Sequence, residues 1–277
     1  MKVLDITESP GSPAKPTEDR AGSSGNLAWV IDGATDFSNE STLPGSSNVQ
    51  WLVRLVDQSL HDLGAVNKYT RVIEVFDRLG ETVRAELASL APDDLRNHPC
   101  CSIGLAAFDA DSVEVGRIGD ATLVTYQEER VTREVSTDFF DAREAQAVER
   151  SRTSLQTRPA IMAGISARRA EYIKGVHGES VFSGHPEAVF KVHRATVPLT
   201  EADTVLICTD GFARAIADYR IFTDWQGLGR RARDEGLDRI TSLIRQYEAT
   251  SAGVSSGNKF KSADDVAAIL LGNEGRR

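Results

Sequence analysis

Two apolar runs, Leu27–Ile31 and Thr204–Cys208, each stop at an aspartate followed by a glycine, in LAWVIDG and TVLICTDG. Runs of this length and character read as buried strands. Glycine lets the backbone turn sharply and approach whatever the aspartate holds. Two carboxylates delivered to strand ends invite a hard cation, because Mg²⁺ and Mn²⁺ prefer oxygen ligands. Asp-Gly is equally an ordinary turn dipeptide, so the inference depends on whether further carboxylates join these two.

A chain of 277 residues makes one large domain or two small ones and can bury a substantial core. Its net charge of −9 argues against a general binder of nucleic acid or anionic membrane. No apolar run approaches the roughly 20 residues that span a bilayer, and MKVLDITESP lacks the apolar core of a signal peptide. Three cysteines, with Cys100 and Cys101 adjacent, make neither a disulfide framework nor a zinc spacing, so a reducing, cytoplasmic setting is expected. Cys208 and Trp29 sit inside the apolar runs and are expected in the core. His61, His98, His177, His185 and His193 show no ligand spacing and are expected at the surface.

Taken in order, Lys2–Thr7 reads as an edge strand and Ser9–Gly25, rich in Pro, Gly and Ser, as loop. Ser47 or Asn48 is the N-cap of a helix carrying Val49, Leu52, Val53, Val56, Leu60 and Leu63, closed by Gly64. A second amphipathic helix runs from Val72 to Leu90 and stops at Ala91-Pro92. Ser102–Phe108, Val113–Ile118, Ala121–Tyr126 and Val131–Val135 then read as a β-meander with hairpin-length connections. Asp138–Arg152 has helical period, Thr153–Ser183 looks irregular, and Val189–Val197 alternates. After the second Asp-Gly strand come helices near Gly211–Ala217, Trp225–Arg233 and Leu237–Glu248, a loop at Thr250–Lys261 and a last strand at Val266–Leu271. Strands in a run, then helices, then a terminal strand favour α+β layering with antiparallel sheets over a βαβ sheet.

Further carboxylates do flank apolar strands: Asp120 after Val113–Ile118, Asp264 and Asp265 before Val266, and Glu18 and Asp19 shortly before Leu27. Unpaired carboxylates side by side repel one another, and a divalent cation removes that cost. Here the segments TEDRA (17–21), VIDGAT (30–35), GLAAFDADSVEVGRIGDATLVTY (104–126), VLICTDGFARAI (205–216) and SADDVAAILL (262–271) resemble, in order and spacing, the motif series of the metal-dependent protein phosphatases. These are the PPM family, the type 2C serine/threonine phosphatases, and the likeness to their bacterial members spans residues 10–272. It implies a single domain over 1–277, a four-layer αββα sandwich of two antiparallel sheets flanked by helices, with a variable flap over 138–185. It implies two Mn²⁺ or Mg²⁺ ions in a cleft at one end of the sandwich.

By that resemblance Asp32 bridges both ions, the Gly33 carbonyl and Asp210 each bind one, and Asp264 supplies the terminal aspartate. Glu18 and Asp19 bind largely through water, and Asp120 is associated with a third, weaker ion. The implied catalytic set is Asp32, Asp210 and Asp264. Several positions depart from the family. Ala14 stands where a phosphate-binding arginine is usual, with Lys15 or Arg20 as substitutes for substrate binding. Ala34 stands in place of a general-acid histidine, Asp265 in place of an asparagine, and Ala121-Thr122 in place of Ser-Arg. Arg214 takes the place of an aspartate and argues against a third ion.

The implied activity is hydrolysis of phosphoserine or phosphothreonine in proteins by a metal-bridging hydroxide, on a phosphoprotein substrate, by a cytoplasmic monomer. Two alternatives stay open: a pseudophosphatase that binds a phosphoprotein without turnover, favoured by Ala14, Ala34 and Arg214, and a small phosphate-ester hydrolase. Arg143, Arg150, Arg152, Arg158, Arg168 and Arg169 guide an acidic substrate or form a solvated helix face.

Overall fold

Each apolar strand of this chain is covered on both sides. The structure, a computed structural model, describes residues 1–34, 43–88, 90, 98–153, 158–250 and 263–273. The strands are β1 (Lys2–Ser9), β2 (Arg20–Ser24), β3 (Leu27–Gly33), β4 (Cys101–Phe108), β5 (Ser112–Ile118), β6 (Thr122–Gln127), β7 (Arg130–Val135), β8 (His193–Pro198), β9 (Thr204–Cys208) and β10 (Val266–Gly272). The helices are α1 (Asn48–Val66), α2 (Val72–Leu87), α3 (Phe139–Thr153), α4 (Arg158–Ile173), α5 (Asp210–Ala217), α6 (Trp225–Glu235) and α7 (Leu237–Thr250). One five-stranded sheet has the order β1-β10-β9-β6-β7 and the other β2-β3-β4-β5-β8, with antiparallel pairing throughout.

The period-two alternation of strand side chains divides the apolar residues among three layers of contact. On β3, Leu27, Trp29 and Ile31 point to α1 and α2, whose Val49, Leu52, Val56, Val75, Phe76 and Leu79 they meet. Ala28 and Val30 point the other way, into an inter-sheet core shared with Val205 and Ile207 of β9 and Ile269 and Leu271 of β10. The outer face of β9 and β10, with Leu206, Cys208, Ala268 and Leu270, packs under Phe212, Leu228, Ile240 and Ile244 of α5–α7. Helices, sheet, sheet and helices therefore stack in four layers, the αββα sandwich expected from the family likeness. Cys208 and Trp29 are fully buried, and the Trp29 indole N–H donates to Asp57 Oδ1 at 2.9 Å.

Several local expectations need correction. Ser9–Gly25 is not all loop, because Arg20–Ser24 pairs with β3 as β2. Two-residue closure at Gly25-Asn26 makes a hairpin that the polar composition of the stretch conceals. Ser47 is the N-cap of α1, accepting from the Gln50 amide at 3.0 Å, yet Gly64 does not close that helix. The left-handed C-cap is Asn67 at φ 53°, and Gly64 is a packing glycine, since a Cβ there would lie 2.3 Å from the Ser24 carbonyl oxygen.

The strands after α2 are not one meander: β4 and β5 belong to one sheet, β6 and β7 to the other, and the chain crosses between sheets at Gly119-Asp120-Ala121. Thr153–Ser183 contains α4, a full helix inside a stretch read as irregular from its Pro and Gly content. Pro159 lies in the first turn of that helix, where an amide hydrogen has no intrahelical partner to lose. The alternation at Val189–Val197 yields a strand only from His193. His98 and His185 are buried, not at the surface; their rings meet edge to face at 5.0 Å, and His98 Nδ1 lies 3.1 Å from Ser183 Oγ. Burial, and next the neighbouring His185, lowers the His98 pKa to about 4. The expected stop at Ala91-Pro92 and the loop after Thr250 fall on residues outside those described, Thr250 itself excepted. Among the described residues no helix is long and apolar enough to cross a membrane.

Candidate functional site

Antiparallel pairing fixes where the strand-end carboxylates go. Asp32 follows Val30 on the inter-sheet face of β3, and its partner across the ladder is Ser102 of β4. Because β2 runs against β3, with Arg20 opposite Ile31, the residue before β2, Asp19, arrives at the same end. In the facing sheet β9 ends at Cys208, which pairs with Ala268 of β10 and Thr122 of β6. Asp210, Asp264 and Asp120, each two residues beyond one of these strand ends, therefore meet Asp19 and Asp32 at one mouth of the sandwich.

Electrostatics report the same convergence. Burial, and then the charges of Asp19, Asp210, Asp120 and Asp264, push the Asp32 carboxyl well above the usual carboxylate range. Asp19, 2% exposed, is raised by burial, Asp264, Asp265 and Asp210, against one lowering hydrogen bond from Thr209. Asp120 is pushed up to about 7, first by burial and then by Asp210. These aspartates are thus within electrostatic reach of one another, although their sequence positions span 19 to 264.

Neutral and backbone groups hold the carboxylates in place. Ser102 Oγ donates to Asp120 Oδ1 at 2.6 Å, and the Asp120 amide donates back to Ser102 Oγ at 3.3 Å. Ser47 Oγ, the cap of α1, donates to Glu18 Oε1 at 3.0 Å. Gly33 is needed for this approach, since a Cβ there would lie 2.7 Å from Val49 Cγ1 and 2.9 Å from the Glu18 carbonyl oxygen. Asp265 is a structural clamp: Oδ1 accepts from the Gly11 amide at 2.7 Å and Oδ2 from the Glu18 amide at 2.6 Å. Its added charge is thereby spent on the segment that carries Glu18 and Asp19. Nothing in the residue pattern alone pointed to that role.

Arg214 is 4% exposed and reaches into the cluster. Its Nη2 donates to Asp264 Oδ2 at 2.7 Å, and its Nε stands 3.8 Å from Asp218 Oδ2, an ion pair too long for a hydrogen bond. Burial alone would weaken this cation, and Asp210 and Asp264 more than restore it. A small recess beside it, about 40 Å³ for water-sized occupants, is lined by Asp120, Asp141, Asp210, Arg214 and Asp218. That is room enough for solvent to enter. Asp141 comes from α3. The sequence carried a signal for Arg214: it lies four residues after Asp210, on the same face of α5.

The substrate-binding residues implied by the resemblance are Lys15 and Arg20. Lys15 is exposed, while Arg20 Nη1 contacts Glu8 Oε2 at 3.4 Å and the Asp19 carbonyl at 3.2 Å. In the arginine group, Arg143 lies 4.6 Å from the centre of the Phe139 ring and Arg169 is buried, so neither is a fully solvated charge. The side chains of Arg150, Arg152 and Arg158 lie outside the described residues.

The donor set suits a hard divalent cation. All donors are carboxylate or carbonyl oxygens, and the buried Asp19 Oδ2 has no hydrogen-bond partner among the described residues. Among those same residues no three His, Cys, Asp or Glu side chains close around a single point. The match is therefore one of charge and donor chemistry.

Comparison with known proteins gives a consistent answer. Residues 15–244 match the family model described as protein phosphatase 2C. No curated protein sequence matches the chain. Among solved structures, the serine/threonine phosphatase Stp1 from Staphylococcus aureus superposes with a TM-score of 0.59 at 14% identity, covering 99% of this chain and 96% of that one. The Mycobacterium tuberculosis serine/threonine phosphatase PstP/Ppp gives 0.54 at 12% identity, with 96% and 95% covered. The catalytic domain of PstP in complex with two manganese ions gives 0.54 at 11% identity, again covering 96% and 95%. At such identities these likenesses concern the fold.

Proposed function

The chain belongs to the protein phosphatase 2C family, and from that premise we propose that it hydrolyses phosphoserine and phosphothreonine esters of proteins with Mn²⁺ or Mg²⁺. The observation that carries this reading is the meeting of Asp19, Asp32, Asp120, Asp210 and Asp264 at one end of the sandwich, with burial and then mutual repulsion raising three of them. Asp32, the Gly33 carbonyl, Asp210 and Asp264, with Glu18 and Asp19 beside them, would hold the ions. When bound, such ions act as Lewis acids on phosphate oxygens and supply a hydroxide near neutral pH.

The chain's own groups set the geometry for that chemistry. Ser47 aims Glu18, Ser102 aims Asp120, and Asp265 fixes the 11–18 segment against the start of β10. Rigid second-layer contacts of this kind keep ligands oriented and tune them. Arg20, beside Asp19, and Lys15 are the side chains proposed to meet an incoming phosphoester.

The test is phosphate release from a phosphothreonine peptide with and without Mn²⁺. Asp32→Ala and Asp210→Ala should each lose about 10²–10³-fold, the scale of removing one preorganised charge-stabilising group. Unchanged turnover in both variants refutes the assignment. The Arg214–Asp264 ion pair favours a second reading, a non-catalytic member that binds phosphoprotein. Mn²⁺ uptake without phosphate release identifies that case, and release from small aryl phosphates alone identifies a small-ester hydrolase.

A further inference from the structure

Resting on the metal-dependent reading above, we propose that Arg214 is a built-in cation of the carboxylate cluster, present in place of part of the metal charge and weakening divalent-ion binding there. Repulsion among buried carboxylates is relieved either by protons, by bound cations or by a fixed positive side chain. Arg214 is the last of these. It projects from α5 one turn beyond Asp210, is 4% exposed, and binds Asp264 at 2.7 Å. Arg214 also lines the recess that Asp120, Asp141, Asp210 and Asp218 border.

Such placement has two consequences. The cluster stays assembled without metal, because one of its proposed ligands, Asp264, already has an oriented partner. A divalent ion entering beside Asp210 and Asp264 meets a positive charge and must compete for the Asp264 oxygen. A guanidinium cannot give up its proton to relieve that conflict. The site is thereby set for weak, exchangeable metal, responsive to the metal concentration around it.

The experiment compares wild type, Arg214→Met and Arg214→Lys after chelation, by calorimetric Mn²⁺ titration and by melting in EDTA and in excess Mn²⁺. Removing the charge should tighten Mn²⁺ binding about tenfold or more. It should also make the Mn²⁺-induced rise in Tm larger than that of wild type by about 5 °C. Arg214→Lys, which keeps the charge, should stay near wild type on both readouts. Equal Mn²⁺ affinity and equal melting shifts in Arg214→Met and a metal-binding wild type overturn the role of Arg214 alone. Absence of Mn²⁺ uptake by wild type and by Arg214→Met overturns the metal-dependent reading with it. Should Arg214→Met fold only with Mn²⁺ present, the proposal is supported. Should it fold in neither condition, Arg214→Lys decides: wild-type affinity and melting support the charge role, and loss of both overturns it.

Discussion

Removing the Arg117 guanidinium tests how the segment that carries Glu179 is held. Arg117, on β5, is 2% exposed, and its Nη1 and Nη2 donate to Glu179 Oε2 and Oε1, each at 2.9 Å. The same two nitrogens donate to the carbonyls of Gly119 and, at 3.0 Å, Ser136. One side chain therefore joins the turn before Asp120, the strand end before α3 and the segment after α4. Arg117→Met keeps much of the volume, removes all four bonds, and leaves a carboxylate with a side-chain exposure of 12% to the Thr137 side chain and to His193 Nε2, 3.2 Å away. Breaking a buried pair from one side costs about 3–5 kcal/mol. At about 2–4 °C per kcal/mol for a chain of this size, the melting point should fall by about 10 °C.

Urea unfolding of Arg117→Met, Glu179→Gln and the double variant measures the loss, and a coupling of about 1–3 kcal/mol is expected between the two sites. Burial acts to raise the Glu179 carboxyl, but the hydrogen bonds and charge of Arg117 outweigh it and hold the group below its usual range. A lowered folded pKa means stability that is present above the unfolded value, about 4.3, and is lost as pH falls through the folded one. The gap between wild type and Arg117→Met should therefore narrow in acid. A loss under about 1 kcal/mol at pH 7 with strictly additive variants would refute the clamp.

Other outcomes follow from the same structure. For Asp19, Asp32 and Asp120 the folded pKa lies above the ordinary aspartate value, so the folded metal-free chain binds more protons than the unfolded one. Its melting point in EDTA should rise as pH falls from about 8 toward 5, through the raised Asp120 pKa of about 7. A melting point that drops over this window contradicts the coupled cluster. Gly64→Ala in the interior of α1 would ordinarily gain about 1 kcal/mol. Here the added Cβ meets the Ser24 carbonyl, so a loss of about 1–3 kcal/mol in urea is expected. A stabilised Gly64→Ala variant would show that β2 does not press on the helix as described.

What could be read from residue order alone was whatever depends on local pattern. Leu27–Ile31, Val205–Cys208 and Val266–Leu271 are apolar throughout and form strands, and Ser47 caps a helix whose apolar face repeats at helical spacing. The four-layer architecture was legible only through a series of motifs matching a known family. The strand at Arg20–Ser24 carries no apolar signature because Trp29 of β3 lies against Gly22 and Gly64 of α1 against Ser24, so its own side chains stay small. Proline and glycine counts likewise hid α4, since a first-turn proline does not break a helix.

The chemistry divides along the same line. That carboxylates stand beside strand ends is a fact of sequence; that five of them share one mouth is decided by antiparallel register, which brings the start of one strand next to the end of its neighbour. Residue identity could mark Arg214 and Asp265 as unusual, but not what they touch. Only the packed chain turns Asp265 toward two backbone amides and brings Arg214 to Asp264, fifty positions away. The physical reason is that charge acts over a few ångströms of space, and sequence distance does not measure that separation.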